Sequence, residues 1–575
     1  MKIKNIIYSA FGMFCATATL SSCSDFLEIE PQNEIILEKF WNEKADVDAI
    51  IAGCYSNMQS DNMLIRMMIW GEFRSDNITR GQHLDKDVNI ENILKENLLA
   101  TNYYTTWDQF YNIINRCNTV IKYAPGVAAK DPAFSESELK ADIAEVSALR
   151  DLCYFYLIRT FRNVPYSTEA FTDDDQTMDL PASSFDEILD KLIADLESVK
   201  EDAVETYPKG SSVKELYQTS RITKTAIYAM LCEMYLWKKD YQNCIKYADL
   251  VIEAKKKQYE EDNKNSTVVN DETRTNGYPL ITCDYTYSTS IYGRAYSSIF
   301  GQGNSSESIF ELTFMPEDNM PSNGAVSLCY GNSKNAGFMG YVSVPSFIGS
   351  DVSSKIFDVF KNKYDSRAYE NIIGEQAIGK YVYKQSLIDF STGSASPLYS
   401  NIYYEGKVKS NWIIYRLSDI MLLKAEALSQ LISNNDTFSE QDQTYFEQAF
   451  SLVNAVNKRS VCQPISQLKD TLVMTQYNTK DNIVNLVMEE RQRELMFEGK
   501  RWYDLVRRSM RDNNTDYLTT KVLQKFTSNT SAIQNQFRKM DAIFWPYNND
   551  ELKVNKNLQQ NPAFGSGENG SYTKN

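Results

Sequence analysis

Apolar positions recur at intervals of three and four along much of the chain, the spacing that lines one face of an α-helix. The pattern predicts helices over residues 40–58, 107–123, 136–161, 185–199, 221–239, 241–256, 414–430, 441–458 and 480–508. Within 221–256 the offsets are more specific. Tyr228, Leu231, Cys232, Tyr235, Cys244, Ala248 and Val251 occupy the places where a tetratricopeptide repeat sets its large and small packing residues, with Asp240 in the turn. Stretches 415–430 and 445–458 repeat the rhythm with Leu422, Ala425, Ala427, Ala449 and Val453, and 147–161 with 185–199 forms a third pair. Such pairs stack because each buries its neighbour's apolar face.

The periodicity fails twice. Residues 260–411 are rich in Ser, Gly, Asn and Tyr and carry short strand-like runs such as 308–314, while 74–102 is a shorter polar interruption. The expected fold is therefore mainly α: a tetratricopeptide-type helix-pair scaffold with a loop-rich, partly β insertion. Loops held on a rigid frame carry most recognition, so both interruptions are candidates for a ligand face.

Composition narrows the chemistry. Sixty Lys and Arg against 76 Asp and Glu give a net charge of -16, and no stretch interleaves basic and aromatic residues, which argues against a nucleic-acid partner. The single histidine, His83, would have to serve every Ser-His-Asp, Cys-His or His-rich zinc site, which argues against each of them. Aromatic residues reach 12%, so stacking is a better supported use of this chain than acid-base catalysis.

The N-terminus reads as an address. Lys2 and Lys4 precede a mostly apolar or small run over 6–20, too short for a membrane span and shaped like a cleaved signal. Its close, Leu20-Ser21-Ser22-Cys23, resembles the lipobox of bacterial lipoproteins. That resemblance makes residues 1–22 the signal peptide and Cys23 the lipidated first residue of the mature chain, with Ser24 resembling the signal for outer-membrane sorting. Cys54, Cys117, Cys153, Cys232, Cys244, Cys283, Cys329 and Cys462 read as buried thiols; Cys232 and Cys244 either pack as small residues or, since the two could meet, form a disulfide.

A pyranose lies with its C–H face on an aromatic ring and offers its hydroxyls to polar neighbours. Around the first interruption, Arg66 and Trp70 lead into Asp76, Asn77, Arg80, His83 and Asp85; in the second, Tyr330, Phe338 and Tyr341 sit among Gly and Asn. These are the candidate ligand contacts, expected to converge above the helices. Two other patterns carry less. Glu490, Glu494 and Glu498, interleaved with Arg491, Arg493 and Arg501, have the spacing for ion pairs between successive helical turns, a structural network with Trp502 packed beneath, and no catalysis is assigned to them. Asp85, Asp87, Asn89 and Glu96 match donor positions of an EF-hand loop, but Ile90 stands where the turn needs Gly, so a solvated polar loop is expected and no metal.

Several motifs, in order and nearly end to end, resemble the SusD/RagB family of outer-membrane nutrient-uptake lipoproteins. They are Phe26-Leu-Glu-Ile-Glu-Pro31, the stretch 143–165 with Ala148-Leu-Arg and Asn163-Val-Pro, Arg221-Ile-Thr-Lys-Thr, and Tyr415-Arg-Leu-Ser-Asp-Ile-Met-Leu-Leu-Lys-Ala-Glu-Ala427. The segment 489–507 and the run from Trp545-Pro-Tyr to Leu558-Gln-Gln-Asn-Pro562 complete them. The resemblance implies one SusD-like domain over 23–575, divided into an N-terminal helical part (23–256), a ligand-face insertion (257–411) and a C-terminal helical part (412–575). It implies a lipid-anchored, cell-surface binder of an oligosaccharide, less often a peptide, that delivers it to a TonB-dependent, SusC-like outer-membrane transporter, with no cofactor and no enzymatic activity. The competing classes are an outer-membrane glycoside hydrolase, for which 76 acidic residues offer carboxylates in principle, and a structural adaptor using its repeats alone.

Overall fold

The computed structural model describes residues 40–565, apart from 85–86, 174–175, 208–216, 265–271, 284–290, 315–321, 332–339, 350–358, 375, 393–394, 404–407, 434–436 and 464–471. The long helices fall where the periodicity puts them: Lys44–Met58, Asp108–Ala128, Glu136–Phe161, Phe185–Val199, Lys224–Trp237, Tyr241–Asn263, Leu417–Leu431, Glu440–Arg459 and Lys480–Leu495. Their starts are set by side chains that accept an otherwise unpaired main-chain N–H, among them Ser135 and Ser439 in capping boxes, Ser184, Thr223, Asp240 and Thr479.

Each helix packs on the next, from Lys44–Met58 through to Tyr241–Asn263. The stack then continues without a break, because Tyr241–Asn263 packs directly on Leu417–Leu431, although more than 150 residues separate them. Everything between leaves the array and comes back to it. The return is closed by a short antiparallel ladder, Ser308–Leu312 on Trp412–Arg416, whose residues are all buried, and by Leu417 N–H donating to the Glu307 carbonyl at 2.9 Å. In the second pair, Leu422, Ala425, Ala449 and Val453 are fully buried in one apolar cluster. Burying one such leucine contributes roughly 1.5–3 kcal/mol. Cys232 and Cys244 meet at the close approach of the first pair, sulfur to sulfur at 3.7 Å, as free thiols.

One long predicted helix is two. The pattern over 480–508 is interrupted after Leu495, and a second helix, Arg501–Asp512, begins beyond a turn in which Phe497 and Gly499 have φ of +67° and +69°. The turn is held by Glu72, whose carboxylate accepts from the main-chain N–H of Phe497, Lys500 and Arg501 at 3.1, 3.2 and 3.4 Å. The Glu and Arg residues of this segment do form an ion-pair network, but its partners are mostly distant in sequence. Glu490 takes Arg367 as well as Arg493, Glu494 takes Arg367, Arg416 and Arg459, and Glu498 takes Arg416 and Lys380. All three glutamates are buried. Burial would push the Glu494 carboxyl up, yet the three arginines around it hold it well below the usual carboxylate range.

Two of the EF-hand-like positions have structural partners. Asp87 caps the helix Val88–Leu94 through the N–H of Ile90, and Glu96 is buried against Arg74 at 2.9 Å; Asp85 lies outside the described residues. Among the described residues, no helix is long and apolar enough to cross a membrane. The C-terminal stretch docks on the end of Glu136–Phe161, with Trp545 N–H bonded to the Thr160 carbonyl at 2.8 Å and the Tyr547 hydroxyl to the Asn163 carbonyl at 2.6 Å.

Candidate ligand-binding face

The two polar interruptions meet. Thr79–Arg80 pairs antiparallel with Val342–Ser343, Thr79 opposite Ser343 and Arg80 opposite Val342. The approach is too close for side chains on the facing main chains. A Cβ at Gly81 would stand 2.5 Å from the Gly340 oxygen, and one at Gly340 would stand 2.2 Å from the Cys329 oxygen. Tyr341 is consequently fixed from both sides, its carbonyl accepting from Gly81 at 2.8 Å and its N–H donating to the Leu328 carbonyl at 3.1 Å.

Its half-buried ring stands beside Asp87. Burial first, and then the Asp87 charge, raise the Tyr341 hydroxyl above its ordinary range. On the other side of Asp87, the Tyr104 hydroxyl donates to the same carboxylate at 2.9 Å. Adjacent residues in this turn face opposite ways, so Tyr104 is buried while Tyr103 is 50% exposed. Val88, Leu99 and Leu328 are also exposed. So is Arg80, its guanidinium folded onto the Gly81 and Leu84 carbonyls at 3.2 and 2.7 Å, with exposed His83 three residues on. Asp61 adds a carboxylate that receives the N–H of Gly324 at 2.9 Å.

Of the residues singled out from the sequence, Arg80, His83 and Tyr341 lie at this face. Arg66, Trp70, Asp76, Asn77 and Tyr330 do not, and each is corrected to a supporting role. Arg66 is buried beneath Tyr103, its guanidinium 5.0 Å from the ring centre and bonded to the carbonyls of Asn62, Tyr103 and Thr106. Trp70 is fully buried, stacks on Phe110 and donates Nε1–H to the Tyr104 carbonyl at 2.8 Å. Both hold the Tyr103–Tyr104 turn in place from below.

Asp76 is buried against Arg501, with both oxygens engaged at 2.8 Å; burial opposes its charge, but the guanidinium wins and lowers its pKa. Asn77 donates to Glu72 at 2.8 Å, and the buried Tyr330 hydroxyl donates to the Phe497 carbonyl at 2.9 Å. These three join the first interruption and the insertion to the turn near Gly499. Phe338 and Cys23 lie outside the described residues.

Tyr103 is the residue the sequence reading missed. Its signal was there: Asn102-Tyr-Tyr-Thr-Thr sits between the polar interruption and the first turn of a helix, where only one of two neighbouring rings can be buried. The resulting arrangement offers two separate tyrosine faces, a guanidinium and carboxylates around them, the combination that takes a sugar ring by stacking and its hydroxyls by hydrogen bonds.

Comparison with known proteins agrees with this architecture. Residues 294–564 match a family profile described as the SusD family, and residues 25–236 match one described as starch-binding associating with outer membrane. The chain is 26% identical to the SusD-like protein P38 of Formosa agariphila, over 98% of this chain and all of that one, and 25% identical to the SusD-like protein P2 of the same organism, over 94% and 97%. Among solved structures it is similar to two SusD superfamily proteins of Bacteroides thetaiotaomicron. One has a TM-score of 0.62 at 19% identity, covering 90% of this chain and all of that one; the other has 0.60 at 21%, covering 91% and 99%.

Proposed function

Since the chain belongs to the SusD/RagB family, we propose that it is a cell-surface lipoprotein that captures an oligosaccharide nutrient and delivers it to a TonB-dependent outer-membrane transporter. The observation that carries the binding half of this reading is the pairing of Thr79–Arg80 with Val342–Ser343, which brings the two polar interruptions together, with Tyr341 held on Gly81 and the exposed Arg80 next to it. Rigid stacking faces with polar neighbours favour a glycan over an extended peptide, which would need a line of unpaired main-chain groups. Delivery needs a partner, because a folded chain hanging from a lipid has no path of its own across a bilayer. Binding without hydrolysis is favoured by the segment that most resembles a carboxylate constellation, whose Glu490, Glu494 and Glu498 are buried in ion pairs.

The test is a calorimetric titration against a panel of plant and host oligosaccharides, with reducing ends assayed in the same samples. Saturable heat without new reducing ends supports the reading, and release of reducing ends refutes it in favour of a hydrolase. Gentle detergent extraction followed by pull-down is expected to recover a β-barrel transporter in about equal amount with this chain; recovery of the chain alone refutes delivery.

A further inference from the structure

Between the start of Asp108–Ala128, the stretch 165–180 and the C-terminal turn around Asn549–Val554 lies a cavity of about 410 Å³. Its walls are pinned to one another, the Asn555 side chain donating to the Leu180 carbonyl at 2.7 Å and that of Asn557 to the Asp179 carbonyl at 2.5 Å. Much of the lining is aromatic. Trp107, Tyr111 and Tyr154 follow one another edge to face, with ring centres 5.7 and 6.1 Å apart, and Phe171 joins them. Met178 and Val554 also line the cavity, yet are 60% and 74% exposed, which puts them at its mouth.

The neutral polar groups of the wall are used within the protein. The Tyr111 hydroxyl donates to the Pro165 carbonyl at 2.6 Å and that of Tyr154 to the Ser167 carbonyl at 2.8 Å, while the Asn115 amide exchanges two bonds of 2.8 Å with the main chain of Phe171. The charged groups of the wall are all acidic: Asp108, Asp179 and Glu551, none of which forms an ion pair with a described residue. Glu551 is half-buried among them. Burial raises its carboxyl above the ordinary range, a bond from the Trp107 indole works against this, and the two charges that act on it, Asp108 and Asp550, are both negative and raise it further. Cations just outside the wall do not cancel this charge. Lys553 is taken by Asp550 and Arg150 by Asp195, and Arg116 and Lys556 are matched in number by Glu169 and Asp173.

We propose that this cavity is a second binding site, for a small organic ammonium ion with an apolar body, its charge answered by Glu551 and Asp108 and its body laid against the aromatic lining. Carboxylates without a counter-charge attract a cation, and the faces of aromatic rings do the same. An anion is repelled by three carboxylates, and a neutral sugar leaves their charges unanswered. The apolar body gains by burial against the rings and against Met178 and Val554 at the mouth. The volume falls within the range of small-molecule pockets. The site is independent of the glycan face, and neither requires the other.

The experiment titrates three probes calorimetrically into the full mature chain at neutral pH: phenethylammonium, 2-phenylethanol, which keeps the body and replaces the charge by a hydroxyl, and 3-phenylpropionate, which reverses the charge. The expected result is saturable binding of phenethylammonium, about tenfold tighter than the alcohol, and no binding of the carboxylate. Glu551→Gln keeps the shape of the side chain and an acceptor for the Trp107 indole, so it is expected to cut the preference for the ammonium severalfold and to leave the alcohol where it was. Val554→Lys sets a cation at the exposed mouth and should weaken the ammonium severalfold with the melting temperature unchanged. Leu398→Lys is the control, 63% exposed on the strand Ser396–Ile402, and should change neither. No saturable binding of phenethylammonium, equal binding of the alcohol, or an ammonium affinity unchanged in Glu551→Gln or in Val554→Lys overturns the proposal.

Discussion

The N–H of Gly81 bonds to the carbonyl of Tyr341 at 2.8 Å, joining two segments 260 positions apart at the candidate ligand face. No side chain larger than hydrogen fits at position 81, because a Cβ would lie 2.5 Å from the Gly340 oxygen and 2.8 Å from the Tyr341 carbonyl carbon. Gly81→Val must push these strands apart. Overpacking of this kind costs about 1–3 kcal/mol, so a lower melting temperature and at least a tenfold loss of oligosaccharide affinity are expected. Unchanged affinity would mean that ligand does not bridge the two segments.

Tyr103 and Tyr341 are expected to act as the stacking faces. Replacing either with alanine removes a central ring and should cost about 2 kcal/mol of binding, some thirtyfold, with thermal stability nearly unchanged. Arg66→Ala gives a different signature: it frees the turn that carries Tyr103 and leaves three carbonyls without their donor, so affinity and melting temperature should fall together. Isothermal titration beside thermal denaturation separates the two patterns.

Glu494 binds three arginines out of contact with water. Removing one member of a buried charge network strands the others, at a cost of about 3–5 kcal/mol. Glu494→Ala should therefore denature at much lower urea concentration. Lys553→Ala, which breaks an exposed pair with Asp550, should leave the midpoint where it was. Equal midpoints for the two variants would contradict the buried network.

Glu370 supplies a pH dependence with a definite sign. Burial raises its carboxyl to about 7; among the described residues one oxygen has no partner and the other accepts from Ser366, at 3.1 Å. The folded state thus keeps a proton that the unfolded chain releases near the usual pKa of about 4.3. This stabilisation is complete below that value and is lost as pH rises through about 7, an effect of roughly 4 kcal/mol at most. Glu370→Gln cannot titrate. Its unfolding free energy, measured by urea between pH 5 and 8, should fall less steeply with pH than that of the parent chain, and parallel curves would refute the assignment.

The proposed anchor is tested by Cys23→Ala, which is expected to yield a soluble protein with the parent's melting temperature, because acyl chains on Cys23 would supply the membrane attachment. Retention in the membrane fraction would argue for another attachment.

Most helices were legible because amphipathic spacing is a local property. The break after Leu495 was not, since Glu490, Glu494 and Glu498 keep the four-residue interval straight through it, and only Gly499 hinted at a turn. The candidate face was legible by region, through polar composition and Arg80 and Tyr341. The burial of Trp70, Asp76, Asn77 and Tyr330 was not, because it depends on partners far along the chain: Arg501 stands 425 positions from Asp76, and Phe497 is 167 from Tyr330. A polar residue in a polar stretch looks exposed until the distant residue that covers it is known.

The helix stack runs past the insertion as though the intervening residues were absent, and that insertion meets the N-terminal half along main-chain bonds such as Gly81 to Tyr341. Such bonds are blind to side-chain identity. A differently worded insertion would dock at the same ports if it kept the two glycines at the seam and the side chains that reach the frame, Tyr330, Arg367 and Lys380. The taste of the molecule could in this way be rewritten by exchanging one cassette, with its frame inherited unchanged.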